Sequence, residues 1–148
     1  MDVSYILDGL NDAQRQAVTS ESKKLLVLAG AGSGKTKVLV HRIAWLIKAL
    51  SNSTHSILSV TFTNKAANEM TGRIERILDQ PIPEMWCGTF HSISNRLLRR
   101  HYKEAGLEKD FNILDSDDQL RIIKRNLKDL DIDEDQWPPE KVRWQINN

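Results

Sequence analysis

The chain has 148 residues, 40% of them hydrophobic and 28% charged, and a net charge of +1. That suits one soluble globular domain, or one and part of a second, and excludes overall basicity as a sign of nucleic acid. Cys87 is the only cysteine, which excludes an intrachain disulfide, and no apolar run reaches the roughly 18 residues that suggest a membrane span.

The opening "MDVSYILDGLND" has acids at Asp2 and Asp8 and no basic segment, so it does not read as a signal peptide, and the expected location is the cytoplasm. "KKLLVLAGA" holds a continuous apolar run at Leu25–Ala29 that ends in glycines, which predicts a buried strand of a parallel sheet. From Lys35 to Leu50 the residues Leu39, Ile43, Leu46 and Leu50 recur at helical spacing. "SNSTHS" reads as a loop, and "ILSVTFT" (Ile57–Thr63) as a second strand rich in β-branched residues. A helix capped by Thr63 or Asn64 follows, with Ala66, Met70, Ile74 and Ile77 as its stripe. "DQPIPE" breaks it, and "MWCGTF" (Met85–Phe90) reads as a third strand. Strand–helix–strand–helix–strand implies a parallel sheet with helices on both faces.

Beyond Phe90 the texture turns helical. Ile93, Leu97 and Leu98 form one stripe, ending by Gly106. Ser116 and Gln119 make a capping-box pattern ahead of Leu120, Ile123, Leu127 and Leu130. Pro139 suits the first turn of a last helix. Asp129, Asp131, Asp133 and Glu140 fall at calcium-loop spacing, but the glycine position holds Glu134, so the run reads as an acidic inter-helix loop.

The run "AGAGSGKT" is the densest chemistry in the chain. A strand, a glycine-rich turn (Gly30, Ala31, Gly32, Ser33), then Gly34, Lys35 and Thr36 opening a helix, is the phosphate-loop pattern. Glycines let backbone N–H groups converge on phosphate oxygens, and the helix N-terminus adds partial positive charge. Lys35 is placed for the β- and γ-phosphates, and Thr36 for a Mg²⁺ ion through its hydroxyl. Ala29 stands where the strict pattern has glycine; the change adds one methyl at the rim of the loop. A guanine-reading Asn-Lys-x-Asp is begun at Asn64-Lys65, but position 67 is alanine, which points to ATP.

"LNDAQRQA" (Leu10–Ala17), "AGAGSGKT" (Ala29–Thr36), "TFTNKAANEM" (Thr61–Met70) and "GTFHS" (Gly88–Ser92) occur in this order. Together they resemble the Q motif and motifs I, Ia and Ib of superfamily-one DNA helicases of the UvrD/Rep/PcrA group, in which alanine is usual at the Ala29 position. The resemblance spans essentially the whole chain. It implies a RecA-like phosphate-loop domain, incomplete here, over residues 1–90, and the start of an inserted all-α subdomain over residues 91–148. It implies that Gln14 reads the adenine edge, that Ala29, Gly30, Ala31, Gly32, Ser33, Gly34, Lys35 and Thr36 hold the phosphates, and that Lys37 stands where the family often has arginine near the nucleotide. It implies that Thr61, Phe62, Thr63 and Asn64 meet single-stranded DNA, Phe62 by stacking, and that Thr89 and His91 touch its backbone.

The family's Asp-Glu-x-x motif, its phosphoryl-stabilising arginine and its second motor domain are not found in these residues. The expectation is therefore an N-terminal fragment, inactive alone, of an ATP-dependent helicase that unwinds duplex DNA 3′→5′ in repair with repair-protein partners. Two other readings stay open: a small phosphate-loop enzyme such as a kinase, and a non-catalytic ATP- or DNA-binding module. A nuclease-linked relative of the same helicases is a third.

Overall fold

The computed structural model describes residues 2–148, which divide into two compact units, residues 2–101 and 102–148. In the first unit a short 3-10 helix (Ser4–Leu7) leads to α1 (Asp12–Thr19), α2 (Lys35–Lys48), β1 (Leu58–Thr61), α3 (Asn64–Leu78), β2 (Trp86–Thr89) and α4 (Phe90–Arg100). The second unit holds α5 (Ser116–Asp129) packed on α6 (Pro139–Asn147).

The two strands run parallel, with Leu58 opposite Trp86 and Thr61 opposite Thr89. The crossover between them is α3, and α3 packs on both. Helix α2 packs against α1 and against α3. Its residues Val40, Ile43 and Ala44 join Ile6, Met70, Ile74, Leu78, Ile82 and Met85 in the main core. Val38 joins Leu10 and Val18 in a second cluster beneath α1. Burial of such aliphatic side chains contributes about 1.5–3 kcal/mol each relative to exposure, and holds the helices on the sheet.

Several elements differ from the sequence reading, each for a local reason. Leu25–Leu28 is extended but pairs with no strand among the described residues, and it is not buried. Its side chains alternate as a strand's do: Leu25 and Val27 are 49% and 42% exposed, Leu26 and Leu28 81% and 86%. Leu25 and Val27 border a cavity with Val38 and Leu39 of α2, while Leu26 and Leu28 on the opposite face are almost fully exposed. The stripe expected on α2 is also rotated. Of Leu39, Ile43, Leu46 and Leu50 only Ile43 is buried, because α2 turns Val40 and Ala44 onto α3 and leaves Leu39 facing the unpaired run. On α3 the buried set is Ala67, Met70, Ile74 and Leu78, so Ala66 and Ile77 are only half-buried at its margins.

Helix α4 stops at Arg100, well before Gly106. Gly106 instead closes a separate turn with φ +68°, where Leu107 N donates to Tyr102 O. Of its expected stripe, Ile93 is buried and Leu97 and Leu98 are partly exposed. Helix α5 is capped by Asp115 rather than Ser116: its carboxylate accepts from the amides of Asp117 and Asp118. An ionised acceptor at the positive end of a helix dipole outcompetes a hydroxyl one residue later. Gln119, freed from the expected capping box, donates to the Asn147 side chain of α6. Pro139 stands at the first position of α6, as expected. A capping box does occur, but at Asn11 and Gln14, opening α1. None of the helices among the described residues is long and apolar enough to cross a membrane.

Candidate functional site

The glycine-rich loop runs from the end of the extended segment to the start of α2. Gly32 and Gly34 have φ of +74° and +84°, a region that ordinary side chains enter at a cost of about 1–2 kcal/mol per residue. Gly34 is the N-cap of α2, and no side chain caps that helix. The first amides of α2 therefore have no intrahelical acceptor and point toward the loop. Asn11, Thr63, Thr89 and Asp115 do cap their helices with side chains.

Gln14 is tied into this loop. Its Oε1 accepts from Asn11 N at 3.1 Å, and its Nε2 donates to Ser33 O at 3.1 Å. A Cβ on Gly34 would lie 2.9 Å from that same Nε2 and push the Gln14 amide aside, while the positive φ favours glycine there. Gln14 still has one N–H and one lone pair for another partner. Lys35 reaches back across the loop, donating from Nζ to Gly30 O at 2.6 Å and Ala29 O at 3.1 Å. Ser33 Oγ also donates to Gly30 O, at 2.8 Å. Thr36 follows, exposed in the first turn of α2. A cavity of about 330 Å³ opens between this loop and α1, bordered by Gln14, Ala29, Gly30, Ser33 and Lys35.

Lys37, also expected near the nucleotide, donates from Nζ to Gly9 O at 2.6 Å. One turn on, His41 Nδ1 donates to Ile6 O at 2.5 Å, and Arg42 donates to Val18 O at 2.6 Å. These three side chains stitch the N-terminal segment onto α2. Lys37 and His41 also face Arg73 and Arg76 of α3 across a cavity of about 400 Å³. Sequence reasoning missed this group. The signal was there in the i, i+4 spacings of Lys37 with His41 and of Arg73 with Ile77 along two helices that pack together.

The residues expected to meet DNA gather at the C-terminal ends of the two strands. The parallel register sets Thr61 beside Thr89, and so brings Phe62 and Phe90 together just past the ladder, with ring centroids 5.9 Å apart and planes tilted by 54°. Phe62 is 91% exposed, in a strand-to-helix junction. Thr63 and Thr89 use their hydroxyls first as helix caps, accepting from Ala66 N at 3.1 Å and from Ser92 N at 3.2 Å. Thr61 Oγ1 donates to Thr63 O and fixes the junction. Asn64 and His91 are exposed in the first turns of α3 and α4. Gly88 allows α4 to close on β2, since a Cβ there would lie 2.6 Å from Ser92 Oγ and 3.3 Å from Ile93.

One cavity of about 330 Å³ joins the two groups. Lys35, Thr36 and Leu39 form one wall and Thr61, Phe62 and Thr63 another. Glu69 borders it from α3, paired to Arg73 at 3.9 Å. Among the described residues no group of three or more His, Cys, Asp or Glu side chains could hold a metal ion.

The class is an α/β unit with a short parallel sheet, whose glycine-rich loop at the start of α2 shares a cavity with the β1–α3 junction. The chain matches the UvrD/REP helicase N-terminal domain over residues 10–148, and it belongs to that family. It is 57% identical over its whole length to the DNA helicase II of Salmonella typhimurium and to that of Escherichia coli. It is 44% identical over 145 residues to the ATP-dependent DNA helicase PcrA of Bacillus subtilis, which covers 98% of the chain. The chain spans about a fifth of the length of these relatives, 21% for the first two and 20% for the third.

Proposed function

We propose that this chain is the ATP-gripping N-terminal part of an ATP-dependent DNA helicase. The observation that carries the reading is the shared cavity: residues matched to nucleotide binding and residues matched to DNA binding line one space.

The loop acts as a phosphate cradle of the RecA-like type. A Cβ at Gly30 or Gly32 would meet nothing within 4 Å, so the loop's inner face is open for an anion to approach its backbone. Lys35 exchanges two carbonyl oxygens for phosphate oxygens, a gain because charge-assisted bonds are the stronger. Gln14 offers its remaining donor and acceptor to the adenine edge while its other bonds hold the loop. The hydroxyl of Thr36 is the ligand offered to a phosphate-bound Mg²⁺. That ion, when bound, neutralises charge on the transferring phosphoryl group.

On the opposite wall Phe62 stacks on a base of single-stranded DNA. Asn64, His91 and the amide-rich starts of α3 and α4 take the phosphates. Thr61, Thr63 and Thr89 shape that face through their capping bonds. Unwinding with 3′→5′ polarity, a role in DNA repair alongside repair proteins, and a cytoplasmic location complete the proposal. The helical residues after β2 serve as the start of an inserted subdomain.

The test is ATP hydrolysis and strand separation by the protein carrying this chain, with and without single-stranded DNA, beside Lys35→Ala. DNA-stimulated hydrolysis that Lys35→Ala abolishes supports the proposal. Hydrolysis indifferent to DNA, or transfer of phosphate to a small molecule, refutes it.

A further inference from the structure

We propose that Phe90 is a positioning residue that holds the Phe62 ring in its base-stacking orientation; the proposal rests on the reading of Phe62 as a base-stacking side chain. Phe62 has 91% of its surface exposed, so the core does not fix its rotamer. What lies beside it is the Phe90 ring, 5.9 Å away between centroids and tilted by 54°. That geometry falls between offset-stacked and edge-to-face packing, the range in which aromatic pairs attract beyond simple burial. One side of the Phe62 ring is thus supported, leaving the other free for a base.

Phe90 is suited to the task because its own backbone is fixed. It is the first residue of α4, directly after the cap Thr89, whose Oγ1 accepts from Ser92 N. Behind it Gly88 allows α4 to sit close against β2 through Ser92 and Ile93. The register that pairs Thr61 with Thr89 then fixes the spacing between the rings. Phe90 is itself 57% exposed, so little of its ring is spent on the core. A large apolar side chain with more than half its surface exposed at the first position of α4 is not accounted for by the core alone.

Five forms of the chain test this: the parent, Phe62→Ala, Phe90→Leu, the double variant, and Phe90→Tyr, which keeps the ring. The readouts are the order of the Phe62 ring by NMR with ring-labelled phenylalanine, and affinity for a single-stranded oligonucleotide containing 2-aminopurine. In Phe90→Leu the Phe62 ring becomes mobile and oligonucleotide affinity falls roughly 2- to 10-fold, the fold-change that matches one aromatic pair. The melting temperature stays at the parent value, Phe90→Tyr behaves as the parent, and the double variant binds no more weakly than Phe62→Ala alone. An unchanged Phe62 ring in Phe90→Leu, or losses that add in the double variant, overturns the proposal. If Phe62→Ala binds as well as the parent, or the parent does not bind, the stacking reading itself fails. The ring-order measurement then decides separately whether Phe90 orients Phe62.

Discussion

The three loop glycines separate what folding needs from what a phosphate needs. At Gly34 an alanine meets both a φ of +84° and the Gln14 Nε2 at 2.9 Å. The left-handed backbone costs about 1–2 kcal/mol. Displacing the Gln14 amide from Ser33 O removes a hydrogen bond worth about 0.5–1.5 kcal/mol. For a chain of this size about 2–3 kcal/mol corresponds to a melting temperature lower by roughly 5–10 °C. Gly32→Ala carries the backbone cost alone, since no atom lies within 4 Å of its Cβ, and should show about half that drop. Gly30 has neither an unusual φ nor a neighbour, so Gly30→Ala should melt as the parent does while losing affinity for ATP. Thermal unfolding by circular dichroism with nucleotide titration reads all three. The reasoning is refuted if Gly34→Ala melts at the parent temperature, or if Gly30→Ala destabilises the fold and leaves ATP affinity intact.

Other contacts give equally direct expectations. Gly88→Ala should lower the melting temperature through the 2.6 Å clash with Ser92 Oγ, and adding Ser92→Ala should recover part of the loss. A double variant that melts no higher than Gly88→Ala would put the strain elsewhere. Lys37→Met should free the N-terminal segment, seen as faster hydrogen exchange at residues 6–10, because it removes the 2.6 Å bond to Gly9 O. Unchanged exchange would show that this bond does not hold the segment. Asp115→Ala should cost about 1 kcal/mol of helix α5 stability, and Ser116→Ala far less, by the helical circular dichroism signal. The reverse order would restore the serine cap.

The loop and the strand–helix junctions were legible in the sequence because their chemistry dictates residue type. Gly34 takes a positive φ that favours glycine, and β-branched Val60 and Thr61 beside a threonine cap announce β1 and the start of α3. What was illegible depends on which neighbour wins. Periodicity shows that α2 is amphipathic, yet both Leu39 and Val40 are apolar, and only packing on α3 chooses Val40. The Leu25–Leu28 run has the composition of a central strand, but a strand exists only through its partners. At the site, the bond from Lys37 Nζ to the Gly9 carbonyl, 28 residues away in the chain, depends on the fold and leaves no local signal in the sequence.

Titration of Mg²⁺-ATP into the chain and into Lys35→Ala, followed by calorimetry, tests the central claim most directly. Charge-assisted bonds from lysine to phosphate are worth about 1.5–3 kcal/mol, so the account predicts saturable binding to the parent and binding roughly 10- to 150-fold weaker to a variant that melts normally. Equal affinity in the two, or no binding to the parent chain, would contradict it.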